Sequence, residues 1–179
     1  MSDQPEFSHP VRIDTIGAAP RQVSIGASEA ERKALAERFG LVAVDQLSAE
    51  AEVKRHGEEI RAEGKLSAAV VQSCVITGDP VPARVEESFS LVFRPHPEAN
   101  EEEEIELSEG ELDVTFYSGS FVDLGEAVAE SLSLSLDPYP RSQAAEAALQ
   151  EAGVKSEEEQ ETPPGPLAGL KDLLAGKKG

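Results

Sequence analysis

The chain has 179 residues, a length that fits one domain with additional segments and leaves little room for two full domains. Its 35 acidic residues outnumber its 16 Lys and Arg residues, and the resulting net charge of -19 argues against direct binding to duplex nucleic acid, because affinity for phosphates comes from clustered cations. Cys74 is the only cysteine, which excludes an intramolecular disulfide and a zinc site built from several cysteines.

The first predicted helix begins after Ser28. Ser28 and Glu31 fit a capping box, in which the Ser28 hydroxyl accepts a hydrogen bond from the amide three residues later and the Glu31 carboxylate reaches back. Leu35 and Phe39 lie on one face of this helix, and Gly40 provides a left-handed C-terminal cap. The segment therefore has a start, an apolar face and an end of its own.

Three long runs of alternating apolar and polar residues follow, at residues 47–54, 60–70 and 81–93. A period of two is typical of a strand that is buried on one side. His56-Gly57 and Thr77 to Pro80 provide turns between the runs. We predict an antiparallel meander with one face on the core and the other toward water. Shorter strands are predicted at residues 11–14, 21–25 and 112–116.

A second helix is predicted after Asp123, where Asp123 and Glu126 fit the same capping box. Its apolar residues recur every four positions and form a stripe that should pack on the sheet, and Asp137-Pro138 ends it. The stripe consists of Leu124, Val128, Leu132 and Leu136. Because strands and helices do not alternate strictly, the predicted fold class is α+β.

The predicted domain organisation is a single α+β domain over residues 1–140, followed by segments of different character. Residues 141–153 could form a surface helix, and residues 154–165 read as a flexible linker. Residues 166–179 are predicted to form a short terminal helical segment, with an apolar face made by Leu167, Leu170 and Leu174. A helix this short is marginal in water, so it either docks on the domain or becomes ordered on a partner.

Most of the net charge lies in residues 95–140, which contain 13 acidic residues and no Lys or Arg. Its densest part is Glu101, Glu102, Glu103, Glu104 and Glu106. Adjacent glutamates repel one another and offer no apolar face, so residues 95–104 are predicted to form a mobile loop. The run either solvates the protein or steers a basic protein toward it. A metal site here is disfavoured, because contiguous glutamates point in different directions.

The sequence offers no catalytic constellation. Cys74 is accompanied by three histidines, His9, His56 and His96, none of which stands in a known signature around the cysteine. Cys74 follows Val70 in the inward register of its strand, so a small buried thiol without reactivity is the favoured interpretation. We expect no enzyme activity, no cofactor and no metal.

Three stretches in a fixed order resemble a known family. They are VVQSCVITGDPVPARVEESFSLVFRP (70–95), FVDLGEAVAESLSLSLDPYP (121–140) and PGPLAGLKDLLAGKK (164–178). The chain thereby resembles the YceD family of large ribosomal RNA subunit accumulation proteins. The resemblance implies a bacterial or plastid protein, cytoplasmic or stromal, that acts without catalysis in the accumulation of the large-subunit ribosomal RNA.

The resemblance also singles out residues. Many members carry a Cys-x-x-Cys pair that suggests a metal or redox role; here Cys74 matches its first position and Thr77 occupies the second. One thiol cannot reproduce a paired site, so the turn after Cys74 would hold the strand ends by hydrogen bonds alone. The other matching positions, expected to contact a partner or to define the fold, are Asp123, Leu124, Glu130, Pro166, Leu167, Ala168 and Leu170.

We therefore expect a ribosome-assembly factor that acts mainly through protein contacts, with a basic partner such as a ribosomal protein or a pre-ribosomal particle. Any RNA contact would involve residues 1–94, where acidic and basic residues are more evenly balanced. The candidate cations there are Arg12, Arg21, Arg32, Lys33, Arg38, Lys54 and Arg55. The alternatives are a general acidic adaptor unrelated to ribosomes and an enzyme that uses Cys74. We expect a cytoplasmic location, since no apolar stretch approaches the ~20 residues of a membrane span and the N-terminus lacks the features of a signal peptide.

Overall fold

The computed structural model describes residues 5–96 and 114–153 and confirms the α+β class. The strands are β1 (Pro10–Arg12), β2 (Arg21–Gly26), β3 (Ala43–His56), β4 (Glu59–Ser73), β5 (Pro80–Pro95), β6 (Val114–Tyr117) and β7 (Phe121–Asp123). The helices are α1 (Glu29–Phe39), α2 (Leu124–Ser135) and α3 (Ala145–Glu151). None of these helices is long and apolar enough to cross a membrane.

The main sheet has five strands in the order β2-β3-β4-β5-β6. β3, β4 and β5 form the predicted antiparallel meander, and β2, the short strand predicted at residues 21–25, pairs antiparallel with β3. β6 joins the edge of β5 in parallel, which the sequence did not predict. β6 falls within the short strand predicted at residues 112–116 and extends it to Tyr117, whereas residues 112 and 113 lie outside the described residues. β1 and β7 form a separate two-stranded sheet.

The strand predicted at residues 11–14 is wrong in its second half. β1 ends at Arg12, and Ile13–Thr15 form one turn of 3-10 helix, closed by a 3.1 Å hydrogen bond from the Ile16 amide to the Ile13 carbonyl. Because residues three apart eclipse one another in such a turn, Ile13 and Ile16 both enter the core. An extended strand would place them on opposite faces.

The core lies between one face of the main sheet and the two helices α1 and α2. The predicted alternation is observed: Ala49, Ala51 and Val53 of β3 are buried, while Glu50 between them is exposed. α1 packs on β3, and α2 packs on β4, β5 and β1. Burying apolar area at ~25 cal/mol per Å² is what stabilises this arrangement of two layers.

Both helix starts agree with the sequence, with one correction. Ser28 and Glu31 form the complete capping box, and Gly40 adopts the left-handed conformation, with φ of 64°. Asp123 accepts hydrogen bonds from the amides of Gly125 and Glu126. The capping box predicted there is wrong in its second half, because the Glu126 carboxylate pairs with a cation on α1, as described below.

The first compact unit ends at Ser142 and the second begins at Gln143. The second contains α3, within the predicted surface helix at residues 141–153, and Gly153 closes it with a left-handed conformation. The predicted linker and terminal helical segment lie outside the described residues from residue 154 on. Of the loop predicted at residues 95–104, Pro95 is instead the last residue of β5, and residues 97–104 lie outside the described residues.

Candidate functional site

Cys74 lies directly after β4, in the tight turn that leads into β5. The Cys74 amide donates to the Asp79 carbonyl at 2.8 Å, and the Gly78 amide donates back to the Cys74 carbonyl at 2.9 Å. Gly78 has φ of 76°, a left-handed conformation that glycine adopts without strain. Hydrogen bonds alone therefore close this turn, as expected for a chain with Thr77 in place of a second cysteine.

The Cys74 thiol is buried, as its register predicted, and accepts two hydrogen bonds from the backbone. The amide of Thr77 lies 3.4 Å from Sγ, and the amide of Ser142 lies 3.3 Å from it. Burial raises the pKa of the Cys74 thiol, but the hydrogen bonds from Thr77 and Ser142 outweigh it and lower the pKa from its ordinary value of 9.0 to about 6. The environment of Cys74 therefore favours a thiolate.

Two hydroxyls and one carboxylate form a hydrogen-bonded cluster at the same turn. Thr77 Oγ1 donates to Asp79 Oδ2 at 2.7 Å and lies 3.1 Å from Ser142 Oγ, which also donates to Asp79 Oδ2 at 3.3 Å. This cluster ties the β4–β5 turn to the chain that follows α2. The sequence did not reveal Ser142 as a member, since it lies 68 positions from Cys74 and belongs to no local motif.

Asp123 holds two parts of the chain together at the start of α2. Its Oδ2 accepts from the Ser8 hydroxyl at 2.5 Å, and its Oδ1 accepts from the His9 amide at 2.8 Å as well as from two helix amides. The next residue, Leu124, is buried, and its amide donates to the His9 carbonyl at 3.1 Å. Asp123 and Leu124 therefore connect the N-terminal segment to the start of α2.

Gly125 completes this junction. A Cβ at this position would lie 2.7 Å from the His9 amide nitrogen and 2.8 Å from the Phe7 carbonyl oxygen, closer than such contacts occur. The N-terminal segment can approach α2 only because Gly125 has no side chain. Glu130, farther along α2, is exposed to solvent.

An ion pair joins α1 to α2 on the same side of the fold. Arg38 binds both carboxylate oxygens of Glu126, at 2.9 and 2.8 Å, and Glu6 at 2.9 Å. These bonds explain why Glu126 does not complete the capping box at Asp123. A bidentate arginine pair is more specific in geometry than a single contact between charges.

Two groups of predicted site residues fall outside the part of the chain that the structure describes. The acidic run Glu101, Glu102, Glu103, Glu104 and Glu106 lies outside the described residues, as do Pro166, Leu167, Ala168 and Leu170. Within residues 5–96 and 114–153, no group of three or more His, Cys, Asp and Glu side chains could hold a metal ion.

Comparison with known proteins identifies the family. No curated protein and no solved structure matches the chain. The family model described as "Large ribosomal RNA subunit accumulation protein YceD" matches residues 62–174, more than half of the chain. The match includes the β4–β5 turn with Cys74 and the whole of α2 with Asp123. The resemblance expected from the three sequence stretches is thereby confirmed, and the chain belongs to the YceD family of large ribosomal RNA subunit accumulation proteins.

Proposed function

We propose that this protein supports accumulation of the large-subunit ribosomal RNA in the cytoplasm as a non-catalytic factor that binds a strongly basic protein. The observation that carries the proposal is the family match over residues 62–174, taken together with the net charge of -19. A surface of this charge repels naked RNA and attracts basic proteins such as those of the ribosome. The basic partner is a ribosomal protein or a protein of a pre-ribosomal particle.

The cations named as candidates for RNA contact are mostly engaged within the protein, which favours protein contacts over RNA contacts. Arg12, Arg38 and Lys54 form ion pairs with carboxylates of the same chain. The guanidinium groups of Arg32 and Arg55 donate to backbone carbonyls, and that of Arg21 donates to the Thr15 hydroxyl. Six of the seven cations named as RNA-contact candidates are therefore engaged within the protein. Phosphate binding would have to compete with these contacts.

The central experiment measures the ratio of large- to small-subunit ribosomal RNA in cells that lack the gene, with sedimentation profiles of the ribosomal particles. We expect a selective fall of the large-subunit RNA that the wild-type gene restores. An unchanged ratio would contradict the proposal and favour a general acidic adaptor. Complementation with Cys74→Ala tests the remaining alternative, an enzyme that uses this thiol. Full complementation by the variant would contradict that alternative.

A second experiment tests the mechanism through charge. Exchanging Glu101, Glu102, Glu103, Glu104 and Glu106 for Gln should slow association with purified basic large-subunit proteins and flatten its dependence on salt. A matched control exchanges Glu157, Glu158, Glu159 and Glu161 for Gln, which removes a similar charge from the predicted linker. If both sets of variants keep the wild-type association rate and salt dependence, the acidic run takes no part in binding.

A further inference from the structure

An apolar groove lies at one end of the first compact unit, where α1, β4 and α2 all terminate. Backbone and side-chain hydrogen bonds fix its walls: Val42 donates to the Val71 carbonyl at 2.8 Å, and the buried Gln72 amide group donates to the Asp137 carbonyl at 2.8 Å. The groove is open to solvent and has a volume of about 520 Å³. Its apolar lining includes Phe39, Leu41, Val75, Leu134 and Leu136.

The apolar residues of this region are unusually exposed. Leu134 is 78% exposed and Val75 is 50% exposed, although both line the groove. The exposed large hydrophobic residues of the described structure number seven; two of them line the groove, and three more directly follow or precede a lining residue in the sequence. These five are Val42, Val75, Ile76, Leu134 and Tyr139. Clustered exposure of this kind marks an interaction surface, whereas scattered exposure needs no explanation.

The charge around the groove defines what can bind there. Asp137 is the only charged side chain among the described lining residues. α1 and α2 both end at the groove, and a helix C-terminus carries a partial negative charge. The last turn of α2 contains no basic residue. The last turn of α1 contains Arg38, but its guanidinium group is paired with Glu6 and Glu126. The groove therefore favours a cation and disfavours a phosphate.

We propose that this groove binds an apolar, basic segment of the partner protein, with apolar side chains against Val75 and Leu134 and a Lys or Arg beside Asp137 and the two helix ends. The inference rests on the proposed function, since it specifies how the basic partner is held. Its chemistry is that of an amphipathic helix placed in a groove. The acidic surface brings the basic protein near, and the groove supplies the contact that excludes water.

The test uses the full chain and a short amphipathic helical peptide made of Leu and Lys, compared with the same pattern made of Leu and Glu. We expect the Leu/Lys peptide to shift the backbone amide resonances of Phe39 to Leu41 and of Ser133 to Asp137. Leu134→Ser should weaken its binding by about tenfold, the effect of losing one buried leucine. Asp137→Asn should weaken it less and reduce its salt dependence. Phe121→Ser, a matched control that is 49% exposed on β7, should leave binding unchanged.

Four results would overturn the inference. The first is equal binding of the Leu/Glu peptide, and the second is unchanged peptide binding by Leu134→Ser. The third is a shift of the groove amide resonances, without peptide, when Leu167, Leu170 and Leu174 are exchanged for Ser. The fourth is a dimer of the wild-type chain that Leu134→Ser dissociates. The third result would make the chain's own terminal segment the occupant, and the fourth a second copy. Peptide binding in the groove with an unchanged ribosomal RNA ratio in gene-deleted cells would contradict only the proposed function, so the two proposals fail separately.

Discussion

The backbone amide of Ser142 donates a hydrogen bond to the thiol of Cys74 at 3.3 Å, across 68 positions of sequence. The same serine contacts Thr77 and Asp79 through its hydroxyl, so the chain after α2 is fastened to the β4–β5 turn at several points. The Cys74 sulfur accepts hydrogen bonds from two backbone amides. The side chains of Thr77, Ser142 and Asp79 form the remaining hydrogen bonds.

The first prediction concerns the pH dependence of stability. The folded-state pKa of Cys74, about 6, lies below the ordinary value of 9.0. A pKa that is lower in the folded state contributes its full stabilisation at pH values above the pKa of the unfolded state. This contribution is lost as the pH falls to the pKa of the folded state. We therefore expect the free energy of unfolding of the wild type to rise from pH 6 to pH 9 relative to that of Cys74→Ala. Urea titrations across this range measure the difference.

The control for this prediction is direct observation of the thiolate. Because Cys74 is the only cysteine, the ultraviolet absorbance of thiolate in the folded protein reports on this group alone. The absorbance should titrate near pH 6 in the folded protein and near the ordinary value in urea. Parallel stability curves for the wild type and Cys74→Ala between pH 6 and pH 9 would contradict the prediction.

Asp123→Ala should destabilise the fold more than the loss of an ordinary helix cap does. Loss of a capping side chain costs about 1 kcal/mol, and Asp123 also accepts from Ser8 and His9. With these additional bonds we expect a loss of roughly 2 kcal/mol or more. Ser28→Ala is the matched control, because it removes the cap of α1 and should cost about 1 kcal/mol. Equal losses in the two variants would show that the bonds to the N-terminal segment contribute nothing.

Arg38→Met should remove the connection between α1 and α2 while keeping the apolar stem of the side chain. We expect a loss of about 1 kcal/mol that shrinks at high salt, because the pair is only partly buried. Arg12→Met is the control: the side chains of Arg12 and its partner Asp14 are 60% and 62% exposed, and their pair should contribute close to nothing. A double-mutant cycle with Glu126→Gln isolates the pairwise energy, and a coupling of zero would contradict the prediction.

The sequence predicted those parts of the fold that depend on nearby residues. The cap at Ser28, the left-handed Gly40 and the alternation along β3 are local patterns, and each is confirmed. The pairing of β1 with β7 and the parallel attachment of β6 join positions that are distant in sequence and carry no local signal. The competition for Glu126 is of the same kind, because Arg38 lies 88 positions away from it.

The candidate site divides in the same way. Register alone predicted that Cys74 is buried, and the turn residues predicted how β4 passes into β5. The favoured interpretation of an unreactive thiol omitted the amide of Ser142, which contributes to the lowered pKa of Cys74. The groove was also missed, because its walls come from the ends of three elements and only the folded chain brings Val75 near Leu134.

Gly125→Ala should destabilise the protein although alanine is the better helix former by about 1 kcal/mol. The added Cβ would meet the His9 amide nitrogen at 2.7 Å and the Phe7 carbonyl oxygen at 2.8 Å, so the N-terminal segment must move away from α2. We expect a net loss of about 1–3 kcal/mol in urea unfolding, as for other overpacked sites. Gly17→Ala is the control, since its Cβ would meet nothing closer than 3.9 Å. If Gly125→Ala were as stable as Gly17→Ala, the close approach of the N-terminal segment would not exist in solution.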